Sequence, residues 1–344
     1  MRLATNWQLT GLLGSVLLLV GAGLSVSNNA SPDRADRRAE YQRPAEIPFP
    51  EDNPPSEAKI ELGRKLFFDP ILSGSRVRSC STCHNPSLSW GDGLARAMGE
   101  GQAAMGLRAP TILNVAWVPR LGWDGKFRDL ESVAFGPITS AANMNLSEHV
   151  LMDRLAGVPG YVGLFSAAFG EGLVTRAKIE SALATFERTV VSPMAPFDRW
   201  VLGDERAIEG AAKRGFALFD GKARCRECHS GWAFTDGSFH DIGSAQGEDI
   251  GRGKLFPTSI KLRYAFKTPT LRDVTRRAPY MHDGSVGTLA EVVELYDRGG
   301  IARPSRSELI GPLGLTQQEK ADLLAFLDAL TSEPQSVALP VLPR

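Results

Sequence analysis

The sequence predicts a mainly α fold built from two tandem units related by internal duplication. Three observations predict it. Cysteine occurs only in two C-x-x-C-H segments, one set of residues before each and another after each recur with identical mutual spacing within the set, and the approaches to both carry apolar residues at helical spacing while strand signals are few.

The counts support two packed cores: 344 residues, 43% hydrophobic and 23% charged. Lys plus Arg equals Asp plus Glu at 39 each, so no charge excess recruits nucleic acid or an anionic membrane surface. At the N-terminus, Arg2 precedes an apolar stretch from Leu9 to Val26, followed by Ser27, Asn28, Asn29 and Ala30. This pattern predicts a signal peptide over residues 1–30 and export to the periplasm. The competing reading is an uncleaved anchor, since the stretch approaches the roughly 20 residues of a spanning helix, although its Gly and Ser content argues against it. Membrane attachment is expected only if that segment stays uncleaved. Residues 31–56 are polar and rich in proline (Pro32, Pro44, Pro48, Pro50, Pro54, Pro55) and read as an extended leader.

The cysteine segments are Cys80-Ser81-Thr82-Cys83-His84 and Cys225-Arg226-Glu227-Cys228-His229. Two thiols on one turn form thioethers to the two vinyl groups of a haem while the adjacent imidazole reaches the iron, so each segment predicts one covalent haem c with His84 or His229 as proximal ligand. A redox dithiol or a Cys₄ zinc site would use the cysteines but would leave both histidines without a reason. Disulfides leave the same gap.

The repeat extends beyond these segments. Gly63, Leu66 and Phe67 before the first match Gly215, Leu218 and Phe219 before the second. After them, Pro110-Thr111, Val115, Asp124-Gly125, Leu130 and Val133 match Pro269-Thr270, Val274, Asp283-Gly284, Leu289 and Val292 at identical mutual spacing. The expected architecture is two tandem cytochrome c-like haem domains, an N-terminal one over residues 57–197 and a C-terminal one over 198–335, with a tail at 336–344. Helices are expected at 58–68, 179–190, 208–219 and 317–330. Long Gly- and Pro-containing loops, 99–110 and 236–257, connect them.

The copies differ where it matters. Superposing the repeats places Trp123 opposite His282, and Pro137 opposite Tyr296. An iron has one axial position left after its proximal His, and Tyr can fill it whereas Pro cannot. Tyr296 is therefore expected to close the second haem and Pro137 to leave the first open to a small molecule. Met98 and Met105 are alternative sixth ligands for the first haem, and Met144 and Met281 for the second. His149, behind Ser147 and Glu148 at a helix start, reads as surface, and His240 falls in a loop without an assigned role.

The run FKTPTLRDVTRRAPYMHDGSVGTLAEVVELYDRGG at 266–300, with ELGRKLFFDPILSG at 61–74 and GWDG at 122–125, resembles the bacterial dihaem cytochrome c peroxidase and MauG family over roughly residues 47–333. Tyr296 stands where the peroxidase branch has a Met, and the peroxidase His on the loop after the first haem motif is missing, so the resemblance is to the MauG-like branch. It implies that Trp123 lies between the haems and relays electrons, where a bare reading of the residue would make it packing. It implies a distal Glu at the position of Asn143, which can hydrogen-bond a peroxide but cannot exchange its proton; Glu148 would substitute only if its loop folds back. The family's inter-haem calcium uses an Asn side chain where this chain has Arg108, and a backbone oxygen at Arg277. Calcium wants oxygen ligands, so two arginines argue against it.

By this resemblance the chain is an exported haem oxidoreductase. It takes hydrogen peroxide at the open haem, stores one oxidising equivalent on each iron and oxidises a residue, notably Trp, of an exported partner protein by long-range transfer. The GWDG and FGPI segments resemble members found in methanobactin-type operons. Two alternatives stand beside it: a peroxidase fed by a small cytochrome or cupredoxin, and a non-catalytic electron-transfer cytochrome.

Overall fold

The computed structural model describes residues 37–344, so the expected signal peptide lies outside the described residues. Among the described residues ten α-helices carry the fold: α1 (Glu57–Phe68), α2 (Cys80–Cys83), α3 (Leu130–Thr139), α4 (Glu148–Ala156), α5 (Pro159–Phe169), α6 (Arg176–Arg188), α7 (Pro196–Val201), α8 (Gly210–Asp220), α9 (Leu289–Arg298) and α10 (Gln317–Ala329). The strands β1 (Phe239–His240) and β2 (Phe266–Lys267) pair antiparallel. The chain is thus mainly helical, and the four expected helices form as α1, α6, α8 and α10 within a few residues of their expected ends. None of the described helices is long and apolar enough to cross a membrane.

Local chemistry sets the helix limits. Ser56 accepts from the Lys59 N–H at the start of α1, and Asp69 ends it by accepting from Ile71 N–H to open the turn at Pro70, which cannot continue a helix. Thr288 and Thr316 open α9 and α10 with Glu291 and Glu319 reaching back, reciprocal caps that satisfy otherwise orphan donors.

The buried apolar residues form two clusters. The first gathers α1, α3, α5 and α6 around Leu62, Leu66, Phe67, Phe135, Leu183 and Phe186. The second gathers α7, α8 and α10 around Phe197, Phe216, Phe219, Phe234 and Phe326, whose rings meet edge-to-face or tilted, as Phe219 and Phe326 do at 4.9 Å. Each cluster is built on one helix crossing with a glycine at the closest point. A methyl on Gly63 would overlap the Ala182 carbonyl and meet Phe186 Cβ at 2.8 Å; a methyl on Gly215 would overlap the Asp322 carbonyl and meet Phe326 Cβ at 2.7 Å. The backbones come this close only without a Cβ.

Each core is also strapped by the far end of the chain. Tyr41, within the described part of the leader, is fully buried in the second cluster, its ring 4.9 Å from Phe234 and 5.4 Å from Phe216. Burying it contributes roughly 2 kcal/mol. The C-terminal tail crosses to the first domain, where Arg64 and Lys65 of α1 donate to the carbonyls of Ala338 and Val341.

Gly63→Ala should cost on the order of 3 kcal/mol, because the added methyl forces the α1 and α6 backbones apart. Gly163→Ala, in α5 with open space around it, should be neutral or stabilising by about 0.5–1 kcal/mol. Thermal melts of the haem-loaded variants check both.

Candidate functional site

A cavity of about 1000 Å³ runs between the two cores, with Cys80, Cys83 and His84 in its wall at one end and Cys225, Cys228 and His229 at the other. Each motif turns once. α2 brings the two thiols of the first motif together, and a tighter turn at Cys225–Glu227 does so in the second; the His84 and His229 N–H groups donate to the Cys80 and Cys225 carbonyls, each at 2.9 Å.

The chain after each motif orients the imidazole. His84 Nδ1 lies 3.4 Å from the Trp90 carbonyl and His229 Nδ1 lies 2.9 Å from the Phe234 carbonyl. A proton on Nδ1 leaves Nε2 as the free lone pair, the tautomer a proximal iron ligand needs. Burial pushes both imidazoles toward the neutral form, His229 to about 4. The threonines of the repeated Pro-Thr pairs pin these loops, Thr111 Oγ1 donating to Ser89 O at 2.7 Å and Thr270 Oγ1 to Ala233 O at 2.6 Å.

Thiol chemistry favours attachment over the other readings. All four cysteines are free, and burial raises Cys80 and pushes Cys225 up to about 12, the reverse of a reactive dithiol. Among the described residues no cluster unites the four thiols, so a Cys₄ zinc site is not assembled; the metal-type group that forms is Cys228, Asp236 and His240.

The first chamber is walled by Pro137 of α3 and by Asn143, with Met105 and Met144 beside them. The segment bearing Asn143 is held from two sides: Gly74 N–H donates to Met144 O at 2.7 Å, and Gly99 packs so closely on Ala142 that a methyl there would overlap its carbonyl. Glu148 does not fold back; it is exposed and pairs with Arg176 at 3.2 Å. His149 is exposed, as expected. In the second chamber Tyr296, on α9, faces the pair Cys225 and Cys228 with no hydrogen-bond partner among the described residues, and burial together with those sulfurs drives its hydroxyl well above the usual phenol range. Met281 is also in the wall; Met98 is not.

Trp123 stands where the chambers meet. Its Nε1 donates to Arg108 O at 3.0 Å, its own carbonyl accepts from Lys267 N–H at 2.8 Å, and its ring meets His282 edge-on at 6.4 Å. His282 is itself stacked on Phe266 at 3.6 Å and bonded to Asp249 at 2.9 Å. The repeat partners Trp123 and His282 thus touch. His240, unassigned from sequence, pairs with Asp236 at 2.7 Å beside Cys228, and the Asp236 contact raises its imidazole to about 10.

Comparison with known proteins decides the family. A family model described as di-haem cytochrome c peroxidase matches residues 57–206. The methylamine utilization protein MauG of Methylorubrum extorquens is 50% identical over 325 residues, 94% of this chain and 92% of that protein. The chain belongs to the di-haem cytochrome c peroxidase and MauG family. Cytochrome-c peroxidase IdrP1 of a Pseudomonas species is 37% identical over 95% of both chains. A solved MauG-like protein associated with microbial copper homeostasis superposes with a TM-score of 0.79 at 32% identity, over 85% of this chain and 95% of that one. The protein is therefore a haem oxidoreductase of the peroxidase type, with two haem groups.

The residues present fit those haems. The cavity walls are mostly apolar side chains, such as Val115, Ile138, Leu323 and Leu327, as suits a flat macrocycle. Its buried cations keep unmet donors: the Nε atoms of Arg108 and Arg277 have no hydrogen-bond partner among the described residues, and Lys267, lowered to about 8 by burial, donates to the Thr268 carbonyl at 3.3 Å. The carboxylates of a haem would supply acceptors for these groups.

One wall residue of this MauG-family cavity escaped the sequence reading. Glu187 projects from α6 beside Cys80, and burial raises its carboxyl to about 8 against the pull of Arg188. The signal was there: Ile179, Ala182, Leu183 and Phe186 form an apolar stripe on which Glu187 is the next position. In the glycine-matched crossing of the second domain the same place holds Leu327.

Glu187→Gln should gain stability over the parent as pH rises. From about 4.5, where the unfolded chain ionises, to about 8, where the folded carboxyl does, the parent progressively loses on the order of 5 kcal/mol that the amide does not. Melting temperatures of the two holoproteins from pH 4 to 9 check this: the curves should meet at the acid end and diverge upward.

Proposed function

We propose that this protein takes hydrogen peroxide at an open haem held by Cys80, Cys83 and His84, and passes oxidising equivalents through Trp123 toward a closed haem held by Cys225, Cys228, His229 and Tyr296. They end in oxidation of a residue, a Trp, of an exported partner protein by long-range electron transfer. The observation that carries this reading is the contrast between the chambers. The second chamber presents the unbonded Tyr296 phenol toward its motif; the first presents Pro137, whose side chain has no donor atom, at the matching repeat position. The haems supply peroxide cleavage and electron storage, and the chain supplies ligands, access and the path between them.

Each wall residue has a definable part. The Asn143 amide orients a bound peroxide by hydrogen bonding without exchanging its proton. Glu187, neutral below about pH 8, holds a proton at its carboxyl in the wall of the first chamber. The Arg108 carbonyl fixes the Trp123 indole, an aromatic group able to hold a transient hole, at the junction. A Tyr ligand favours oxidised iron, which suits a haem that stores an oxidising equivalent.

The equal glycine crossings at Gly63 and Gly215 support tandem duplication of one haem-binding unit, and the motif at residues 1–30 supports residence in the periplasm. Identity to the methylamine utilization MauG exceeds that to the copper-homeostasis protein, which favours a partner in methylamine utilization over one of the methanobactin type. The second reading, reduction of peroxide with electrons from a small cytochrome or cupredoxin, draws on the 37% identity to cytochrome-c peroxidase IdrP1. Peroxide turnover with a reduced cytochrome or cupredoxin, against oxidation of a Trp-bearing partner, separates the two.

Tyr296→Phe should keep both covalent haems but convert the low-spin signal of the second to a different electronic state, read by paramagnetic resonance and redox titration. An unaltered signal and potential would remove Tyr296 from the iron. Trp123→Phe should leave haem content and peroxide access intact while slowing sharing of oxidising equivalents between the haems by at least about tenfold, followed by near-infrared absorption after stopped-flow mixing with peroxide.

A further inference from the structure

The position between the chambers where the family implies calcium does not fit that ion. Arg108 and Arg277 are both buried, at 8% and 9% exposure. Arg108 Nη2 donates to the Arg277 carbonyl at 3.0 Å, so the backbone oxygen an ion would require is capped by a guanidinium. Arg277 Nη2 in turn donates to Thr270 O at 2.6 Å, and Arg108 N–H donates to His282 O at 3.1 Å. Trp123 Nε1 takes the Arg108 carbonyl. The carbonyls here are therefore occupied by N–H donors, whereas calcium needs six to eight oxygen ligands, several of them anionic.

Charge points the same way. Neither guanidinium bonds a carboxylate: Asp92 acts on Arg108 and Asp273 on Arg277 only at a distance, and Asp273 Oδ1 is spent on Ser332. Two buried guanidiniums, neither bonded to a carboxylate, already stand here with both Nε atoms unpartnered among the described residues. A divalent cation would add repulsion, whereas the anionic edge of a haem would relieve it.

We propose that the Arg108 guanidinium, seated on the Arg277 carbonyl, is the built-in cation joining the two haem chambers, and that this protein holds no calcium between them. Arg108 is then a positioning residue: it spans from the first domain to His282 and Arg277 of the second while its own carbonyl holds Trp123.

Elemental analysis and chelator treatment of the purified haem-loaded protein test this, independently of peroxide chemistry. The protein should contain no stoichiometric calcium, and dialysis against a calcium chelator should leave its melting temperature and the visible and paramagnetic spectra of both haems unchanged. Stoichiometric calcium, or a chelator-induced change in either spectrum, would overturn the proposal. Arg108→Asn, which replaces the guanidinium by an oxygen-bearing amide, should lower the melting temperature by roughly 5–10 °C. Added calcium should restore part of that loss, while Arg108→Lys should keep calcium independence. An Arg108→Asn protein with unaltered melting and spectra would equally sink it.

Discussion

The hydrogen bonds that converge on the Arg108 residue hold the two haem chambers in one relation. Its N–H and guanidinium reach the His282 and Arg277 carbonyls of the second domain, and its carbonyl fixes the Trp123 indole. The Trp123 carbonyl is tied to Lys267 in the same way. These bonds fix the separation of the two chambers. Here the junction is made of backbone carbonyls and buried N–H donors, whose separation costs unpaired polar groups and is resisted accordingly.

The two cores meet the same demand with different means. In each, a glycine crossing packs the helix that precedes a C-x-x-C-H turn against a later helix, and that turn stands at the cavity wall. The aromatic second core is capped by Tyr41 from the leader, and the first is bound by the C-terminal tail. This exchange of straps links the stability of each domain to the far end of the chain. The asymmetry between the chambers lies in a few side chains on an otherwise matched frame: Tyr296 against Pro137, His282 against Trp123, Leu327 against Glu187.

Much of this was legible in the sequence because it is local or periodic. The C-x-x-C-H turns encode their chemistry in five successive residues, the helices in apolar spacing, and the chamber contrast in the register of the repeat. The fold class and the positions of Cys80, Cys83, His84, Cys225, Cys228, His229 and Tyr296 in one cavity's walls follow from those signals.

What only the tertiary structure decided involves groups distant in the chain. Whether Glu148 turns into the first chamber depends on Arg176, which holds it at the surface. Glu187 was visible as a carboxylate on an apolar stripe, yet its burial against the Cys80 wall comes from the packing of α6 on α1. For Arg108 and Arg277 the sequence by itself determined two charges where oxygen ligands were expected. Only the fold seated one guanidinium on the other residue's carbonyl, because hydrogen bonds between residues 169 positions apart have no local sequence signature.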